Sequence, residues 1–97
     1  MWDDIKRLHD HHADAAIETR LLKLTEEVGE VAEAFIGLRG LNTRKGVCRT
    51  RDDLLAELCD VIITAAVAMI GVTEGDVHQA QEHLEQRLAT VTVRAGL

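Results

Sequence analysis

The chain has no proline and no tyrosine, and its only aromatic residues are Trp2 and Phe35. Because strands are enriched in aromatic side chains, whereas proline-free sequences suit helices, this composition favours helices over sheets. The two cysteines, Cys48 and Cys59, have neither the number nor the spacing of a disulfide framework or a zinc site. We therefore expect an all-α protein of a reducing compartment, the cytoplasm.

Positive charge is also scarce, since 11 Lys and Arg residues stand against 17 Asp and Glu residues, giving a formal net charge of −6. Such a chain repels polyanions at long range, so we expect no nucleic-acid partner. The first residues, which include Asp3 and Asp4, lack the basic and apolar regions of a signal peptide. The longest apolar run, Val61–Val72, is interrupted by Thr64 and is too short for a bilayer, so we expect no membrane partner.

The length of 97 residues predicts a single domain, residues 1–97. Apolar residues recur at helical spacing in four segments, which predicts a compact helical bundle of about four helices. The predicted segments are Trp2–His12, Ala15–Leu38, Asp52–Ile70 and a last helix that opens at Thr73 and Asp76. Thr50, with Asp53 three residues on, is predicted to cap the third helix, and Thr73 with Asp76 stands in the same relation at the start of the fourth. Between the second and third segments lies a basic loop, residues 39–51, which contains Arg39, Arg44, Lys45, Arg49 and Arg51.

Two of the predicted helices carry informative apolar patterns. The second has one apolar face, and Leu22 and Ile36 lie off this face, which hints at a subunit interface. The third is apolar almost all the way round, and a helix of this kind is buried. The face of the second helix comprises Ile17, Leu21, Leu24, Val28, Val31 and Phe35.

Acidic residues stand three apart on both of these helices. Glu27 and Glu30 border the apolar face of the second helix, with Glu27 nearer the core, and Glu57 and Asp60 share one stripe of the third. If the two helices pack together, the four carboxylates converge in one cleft and need a cation to offset their repulsion. Oxygen ligands select Mg²⁺, with Mn²⁺ as a substitute, and Mg²⁺ sites in proteins commonly bind substrate phosphates.

A simpler interpretation is that such acids lie on a solvated face or pair with a partner subunit. The occurrence of both pairs on consecutive helices, joined by a basic loop, favours a metal site. In that site the Arg and Lys side chains of the loop would contact phosphates.

At these residues the chain resembles the MazG-like nucleotide pyrophosphohydrolases, whose signature is Glu-x-x-Glu followed some tens of residues later by Glu-x-x-Asp. The resemblance spans roughly residues 20–70. The sequence reads Glu26-Glu27-Val28-Gly29-Glu30 in the first half and Glu57-Leu58-Cys59-Asp60 in the second. The loop Asn42-Thr43-Arg44-Lys45-Gly46 is similar to that of short, actinobacterial-type members.

This resemblance implies an all-α homodimer or homotetramer that hydrolyses a (d)NTP to the (d)NMP and pyrophosphate, in housekeeping of nucleotide pools. By the same analogy Glu27, Glu30, Glu57 and Asp60 bind Mg²⁺, and an acid of the first pair, Glu27 or Glu30, helps to activate the attacking water. The residues expected to contact the substrate are Lys23, Asn42, Arg44, Lys45, Arg87 and Arg94.

The C-terminal helix departs from the family pattern of Lys, Asn and Arg at helical spacing. Arg87 and Arg94 are its nearest equivalents, and Val91 stands where an Asn is expected. One alternative is therefore a metal- and nucleotide-binding regulatory module with little turnover. Another is a structural helical dimer whose acids pair with basic residues of its partner.

Overall fold

The computed structural model describes Met1–Leu97 and confirms an all-α fold of four helices without strands. The bounds are α1, Trp2–His11; α2, Ile17–Arg39; α3, Arg51–Val72; and α4, Val77–Arg94. The chain forms two units, one of residues 1–14 and 66–97 and the other of residues 15–65. The boundary between them falls within α3.

The basic loop is bounded by two well-defined helix ends. Gly40 ends α2 in the left-handed conformation, with φ of 66°, which a residue without a Cβ adopts at little cost. Before α3, the Thr50 hydroxyl accepts a hydrogen bond from the Asp53 N–H at 3.1 Å, and the Asp53 carboxylate accepts one from the Thr50 N–H at 2.8 Å. This reciprocal pair confirms the predicted helix start.

The start of α4 differs from the prediction, because Thr73 does not cap it. Asp76 is the N-cap, and its carboxylate accepts a hydrogen bond from the Gln79 N–H at 3.0 Å. The Thr73 hydroxyl instead lies near the Met69, Ile70 and Asp76 carbonyls, at 2.9 to 3.1 Å. Thr73 therefore satisfies carbonyl groups at the end of α3.

The apolar core lies in the unit formed by residues 1–14 and 66–97. Its buried residues come from α1, α3 and α4, and α1 packs on α4. Trp2 is partly buried against this core. The buried members are Ile5, Ala66, Ile70 and Ala80.

The unit formed by residues 15–65 buries a different face of α2 from the one predicted. Its buried residues on this helix are Arg20, Glu27, Ala34 and Gly37. At 100° per residue the centre of this buried face is rotated by roughly 100° from the centre of the predicted apolar face. Leu21, Val28 and Phe35 of the predicted apolar face stay 42 to 54% exposed, whereas its other three members are half-buried.

The prediction that α3 is buried all round is wrong for a single chain. Only Ala66, Ala68 and Ile70 are buried, whereas Leu55, Leu58, Ile62 and Ile63 are 39 to 58% exposed. The sequence pattern does not specify which chain covers a helix. We therefore interpret the exposed apolar residues as surface that this chain alone leaves uncovered.

The apolar run Val61–Val72 forms the C-terminal part of a longer apolar helix, α3. By length and composition alone, α3 could cross a membrane, with a mean hydropathy of 2.1 over its most apolar 18 residues. Core helices of soluble proteins also reach this length and hydropathy. Glu57 and Asp60 lie on this helix and are costly in lipid.

Candidate metal centre

Three of the four predicted metal ligands form a cluster in the unit of residues 15–65. Glu27 on α2 and Glu57 and Asp60 on α3 offer carboxylate oxygens that all lie within 4.8 Å of one another. Glu27 is 7% exposed, Glu57 is half-buried and Asp60 is exposed. The cluster therefore reaches from a buried carboxylate to the solvent. We call these three residues the acidic triad.

Two oxygens of the acidic triad are buried and lack hydrogen-bond partners. They are the Oε2 atoms of Glu27 and Glu57. An unpaired carboxylate oxygen removed from water is costly, and a second anion nearby raises that cost through repulsion. A cation between the carboxylates would offset both effects.

The donor set indicates which cation fits. The acidic triad offers only carboxylate oxygens, without an imidazole or thiolate among them. Oxygen ligands suit Mg²⁺, Mn²⁺ and Ca²⁺, whereas zinc and copper sites usually include nitrogen or sulfur. An exposed member leaves room for coordinated water and for a ligand oxygen. The residues therefore fit the predicted Mg²⁺.

Lys23 supplies a positive charge that contacts the acidic triad through a salt bridge. Its Nζ lies 3.4 Å from Glu27 Oε1 and donates a hydrogen bond to Glu26 Oε2 at 3.2 Å. The bond to Glu26, and then the one to Glu27, raises the pKa of Lys23 above its usual value. Lys23 therefore partly neutralises Glu27, but it leaves the second buried oxygen of that carboxylate unpaired.

Glu30 is half-buried and does not belong to the acidic triad. It lies one turn beyond Glu27 on α2, about 4.5 Å along the helix axis. The structure thus brings together three of the predicted ligands and places Glu30 one turn from Glu27.

The other predicted substrate-binding residues divide into two groups. Asn42, Arg44 and Lys45 are exposed in the basic loop, where Asn42 and Lys45 line a pocket that Arg44 does not line. Arg87 and Arg94 are exposed on α4, in the unit of residues 1–14 and 66–97, and neither forms an ion pair.

Sequence reasoning missed two features of the unit of residues 15–65. It did not single out Arg49, which lines the pocket with Asn42 and Lys45. It also missed the close approach of the loop to α2 at Gly37. The only sequence signal was a glycine near the end of an otherwise regular helix, beside a basic segment.

No protein-family model, curated protein or solved structure matches this chain. The candidate metal centre therefore rests on the acidic residues and their arrangement. The resemblance to the MazG-like family is based on the Glu-x-x-Glu and Glu-x-x-Asp motifs alone.

Proposed function

We propose that the protein is a Mg²⁺-dependent pyrophosphohydrolase that converts a (d)NTP and water to the (d)NMP and pyrophosphate. The observation that carries this proposal is the pair of buried, unpaired oxygens of Glu27 and Glu57 beside Asp60. A carboxylate site of this kind fits Mg²⁺, and protein-bound Mg²⁺ commonly contacts substrate phosphates. Mn²⁺ would serve as a substitute.

In this proposal Glu27, Glu57 and Asp60 hold the metal, which would neutralise phosphate oxygens and orient the substrate. Water attacks the α-phosphorus, and the bond from that phosphorus to the oxygen bridging to the β-phosphorus breaks. Pyrophosphate leaves with the electron pair of that bond. Glu30 lies outside the acidic triad, so its carboxylate is available to accept the proton of the attacking water.

Basic residues would then bind the remaining phosphate charge. Lys23 already contacts Glu27 and is exposed, so its ammonium group is accessible to a phosphate at the acidic triad. Arg87 and Arg94 have no ion pairs that would compete with a phosphate. We assign Lys23 to phosphate binding at the acidic triad, whereas the assignment of Arg87 and Arg94 to substrate binding rests on the family resemblance alone.

We further propose that the active form is a cytoplasmic homodimer or homotetramer. Exposed apolar residues on α2 and α3 form a surface that a second copy of the chain would cover. The Leu22 and Ile36 side chains, predicted to lie at an interface, are 70% and 40% exposed. Glu57 and Asp60 disfavour lipid as the covering material, because charged side chains on a lipid-facing helix are costly.

One observation favours a second candidate, a regulatory module that binds metal and nucleotide without turnover. Val91 is 47% exposed on α4 and cannot donate a hydrogen bond to a phosphate, unlike the Asn of the family pattern. This candidate predicts nucleotide affinity without release of pyrophosphate.

The test measures pyrophosphate and NMP release from a panel of NTPs and dNTPs with Mg²⁺, Mn²⁺ or EDTA. The proposal expects metal-dependent release of both products in equal amounts. Asp60→Asn should abolish this activity, whereas Asp52→Asn, an exposed acid in the first turn of the same helix, should retain it. If no nucleotide is hydrolysed, the pyrophosphohydrolase proposal fails. A rise in melting temperature with metal and nucleotide would then favour the regulatory module.

A further inference from the structure

A pocket of 220 Å³ lies beside the C-terminal end of α2, and three of its lining side chains end in nitrogen donors. Asn42, Lys45 and Arg49 supply these donors. Neither Lys45 nor Arg49 lies within 4 Å of a carboxylate oxygen. Two cations that line one pocket without ion pairs favour an anion in this pocket.

The amide of Asn42 is oriented by its own loop. Asn42 Oδ1 accepts a hydrogen bond from the Arg44 N–H at 3.0 Å, and the Asn42 carbonyl accepts bonds from the N–H groups of Lys45 and Gly46. The side-chain oxygen is therefore occupied, and the Nδ2 group remains free to donate. The same turn fixes the position of Lys45 relative to Asn42.

Gly37 determines where Arg49 lies. The Cys48 N–H donates a hydrogen bond to the Gly37 carbonyl at 3.0 Å, which attaches the loop to α2. A Cβ at position 37 would lie 2.3 Å from Arg49 Cγ and 3.0 Å from Arg49 Cβ. Only glycine permits this approach. The first carbons of the Arg49 side chain therefore lie against the surface of α2 at Gly37, and Arg49 lines the pocket.

Two acids near the pocket reduce its positive charge without cancelling it. Glu33 lines the pocket together with Lys45 and Arg49, which leaves a net charge of +1 among the three. The positive charge of Arg49 lowers the pKa of the Asp53 carboxyl, but by less than the hydrogen bonds between Asp53 and Thr50 do. The Asp53 carboxylate is already engaged by Thr50.

We propose that Asn42, Lys45 and Arg49 form a site for the terminal phosphates of a polyphosphate chain, specifically the β and γ groups of the nucleotide substrate. This inference rests on the proposed function. Glu33 lies six residues beyond Glu27 on α2, about 9 Å along the helix axis. A triphosphate that reacts at the acidic triad would extend from Glu27 past Glu30 towards this pocket. The pyrophosphate product would then leave from the end of the site that lies at the pocket.

The first measurement is calorimetric binding of inorganic tripolyphosphate to the full chain in EDTA. Wild type should bind it, and the double variant Lys45→Gln/Arg49→Gln should lose at least about tenfold in affinity, as expected for two charge-assisted hydrogen bonds. Arg51→Gln is the matched control, because Arg51 is a nearby exposed cation that does not line the pocket. Equal affinity in the wild type and the double variant would overturn the proposal, as would an equal loss in Arg51→Gln.

The second measurement places the pocket on the substrate path. The double variant should raise the KM for the nucleotide more than it lowers kcat, and Gly37→Ala should shift KM in the same direction by displacing Arg49. Circular dichroism and melting temperature check that both variants fold. Lost tripolyphosphate affinity with an unchanged KM would overturn the proposal, since the pocket would then bind only free polyphosphate.

The two proposals fail in distinguishable ways. If the wild type hydrolyses no nucleotide, the pyrophosphohydrolase proposal fails, and nucleotide affinity is measured in place of KM. A loss of nucleotide affinity in the double variant, but not in Arg51→Gln, would then still support the phosphate site. If hydrolysis is normal in the wild type and in the double variant, the phosphate site falls while the pyrophosphohydrolase proposal stands.

Discussion

The two parts of α3 differ in what they bury, although both are apolar in sequence. Residues 66–72 contribute Ala66 and Ile70 to the apolar core, whereas residues 51–65 bury no side chain and carry Glu57 and Asp60. One part therefore supplies packing and the other supplies charged groups. A helix with a uniform apolar pattern can therefore pack into the core at one end. At its other end it can carry a candidate site and an apolar surface that this chain leaves uncovered.

The largest expected effect is on the packed part. Ile70 is fully buried, so Ile70→Ala should lower the free energy of unfolding by about 2 to 5 kcal/mol. Ile62→Ala is the matched control, because Ile62 lies on the same helix and is 58% exposed. Urea unfolding at low protein concentration measures both. Similar losses in the two variants would contradict the contrast between the two parts of α3.

A second effect concerns the acidic triad. Mutation of an outer-shell residue of a metal site typically lowers metal affinity or activity by about 10 to 100-fold. Loss of a direct ligand in Glu57→Gln should therefore lower kcat/KM by at least roughly 100-fold. The variant should keep its helical content, because Glu57 is absent from the apolar core. Steady-state hydrolysis and circular dichroism test this, and retained activity would remove Glu57 from the site.

The same site predicts an effect of metal on stability. Mg²⁺ at 100 times its dissociation constant should add about 2.7 kcal/mol to the free energy of unfolding. Glu27→Gln should lose this gain and should raise stability in EDTA, because the substitution removes a buried carboxylate whose Oε2 is unpaired. Thermal unfolding with and without Mg²⁺ measures both. An equal metal effect in wild type and variant would place the bound ion elsewhere.

The exposed part of α3 predicts self-association. Ile62→Asp should shift the protein to a smaller assembly in analytical ultracentrifugation, because it places a charge within the surface that we assign to a second copy. Val93→Asp is the control, since Val93 is 72% exposed near the end of α4. A wild-type protein that sediments as a monomer would contradict the assignment.

The smallest effect concerns the start of α3. Hydrogen bonds with Thr50 lower the pKa of Asp53 below its usual 3.8. The ionised carboxylate therefore contributes stability above the usual pKa, and this contribution is lost as the pH falls through the lower pKa of the folded state. Asp53→Asn should remove this part of the acid dependence. Unfolding curves compared between neutral pH and pH below 3.8 measure it, and identical pH profiles would disprove it.

Local features were predictable from sequence because neighbouring residues determine them. The Thr50–Asp53 cap follows from spacing alone, and so does the placement of Glu27 nearer the core than Glu30. The misassigned Thr73 shows the limit of that reasoning. Thr73 and Asp76 have the same spacing as Thr50 and Asp53, and this spacing could not reveal that Asp76 would itself take the N-cap role.

Features that depend on distant residues were not predictable. The rotation of the buried face of α2 follows from which helices cover it, and the periodicity of one helix does not contain that information. The position of Arg49 follows from a contact with Gly37, twelve residues earlier in the chain, and no short-range pattern predicts it. The pocket therefore emerged only from the three-dimensional arrangement.

The position of the unit boundary within α3 has a consequence for how the chain can be divided. Domain boundaries usually fall in exposed linkers, yet here the boundary lies between Ala65 and Ala66 in an unbroken helix. A protease would find its accessible sites in the loop of residues 40–50 instead. A truncation at the unit boundary would separate Glu57 and Asp60 from the buried turns that continue their helix, so the two units are poor candidates for independent modules.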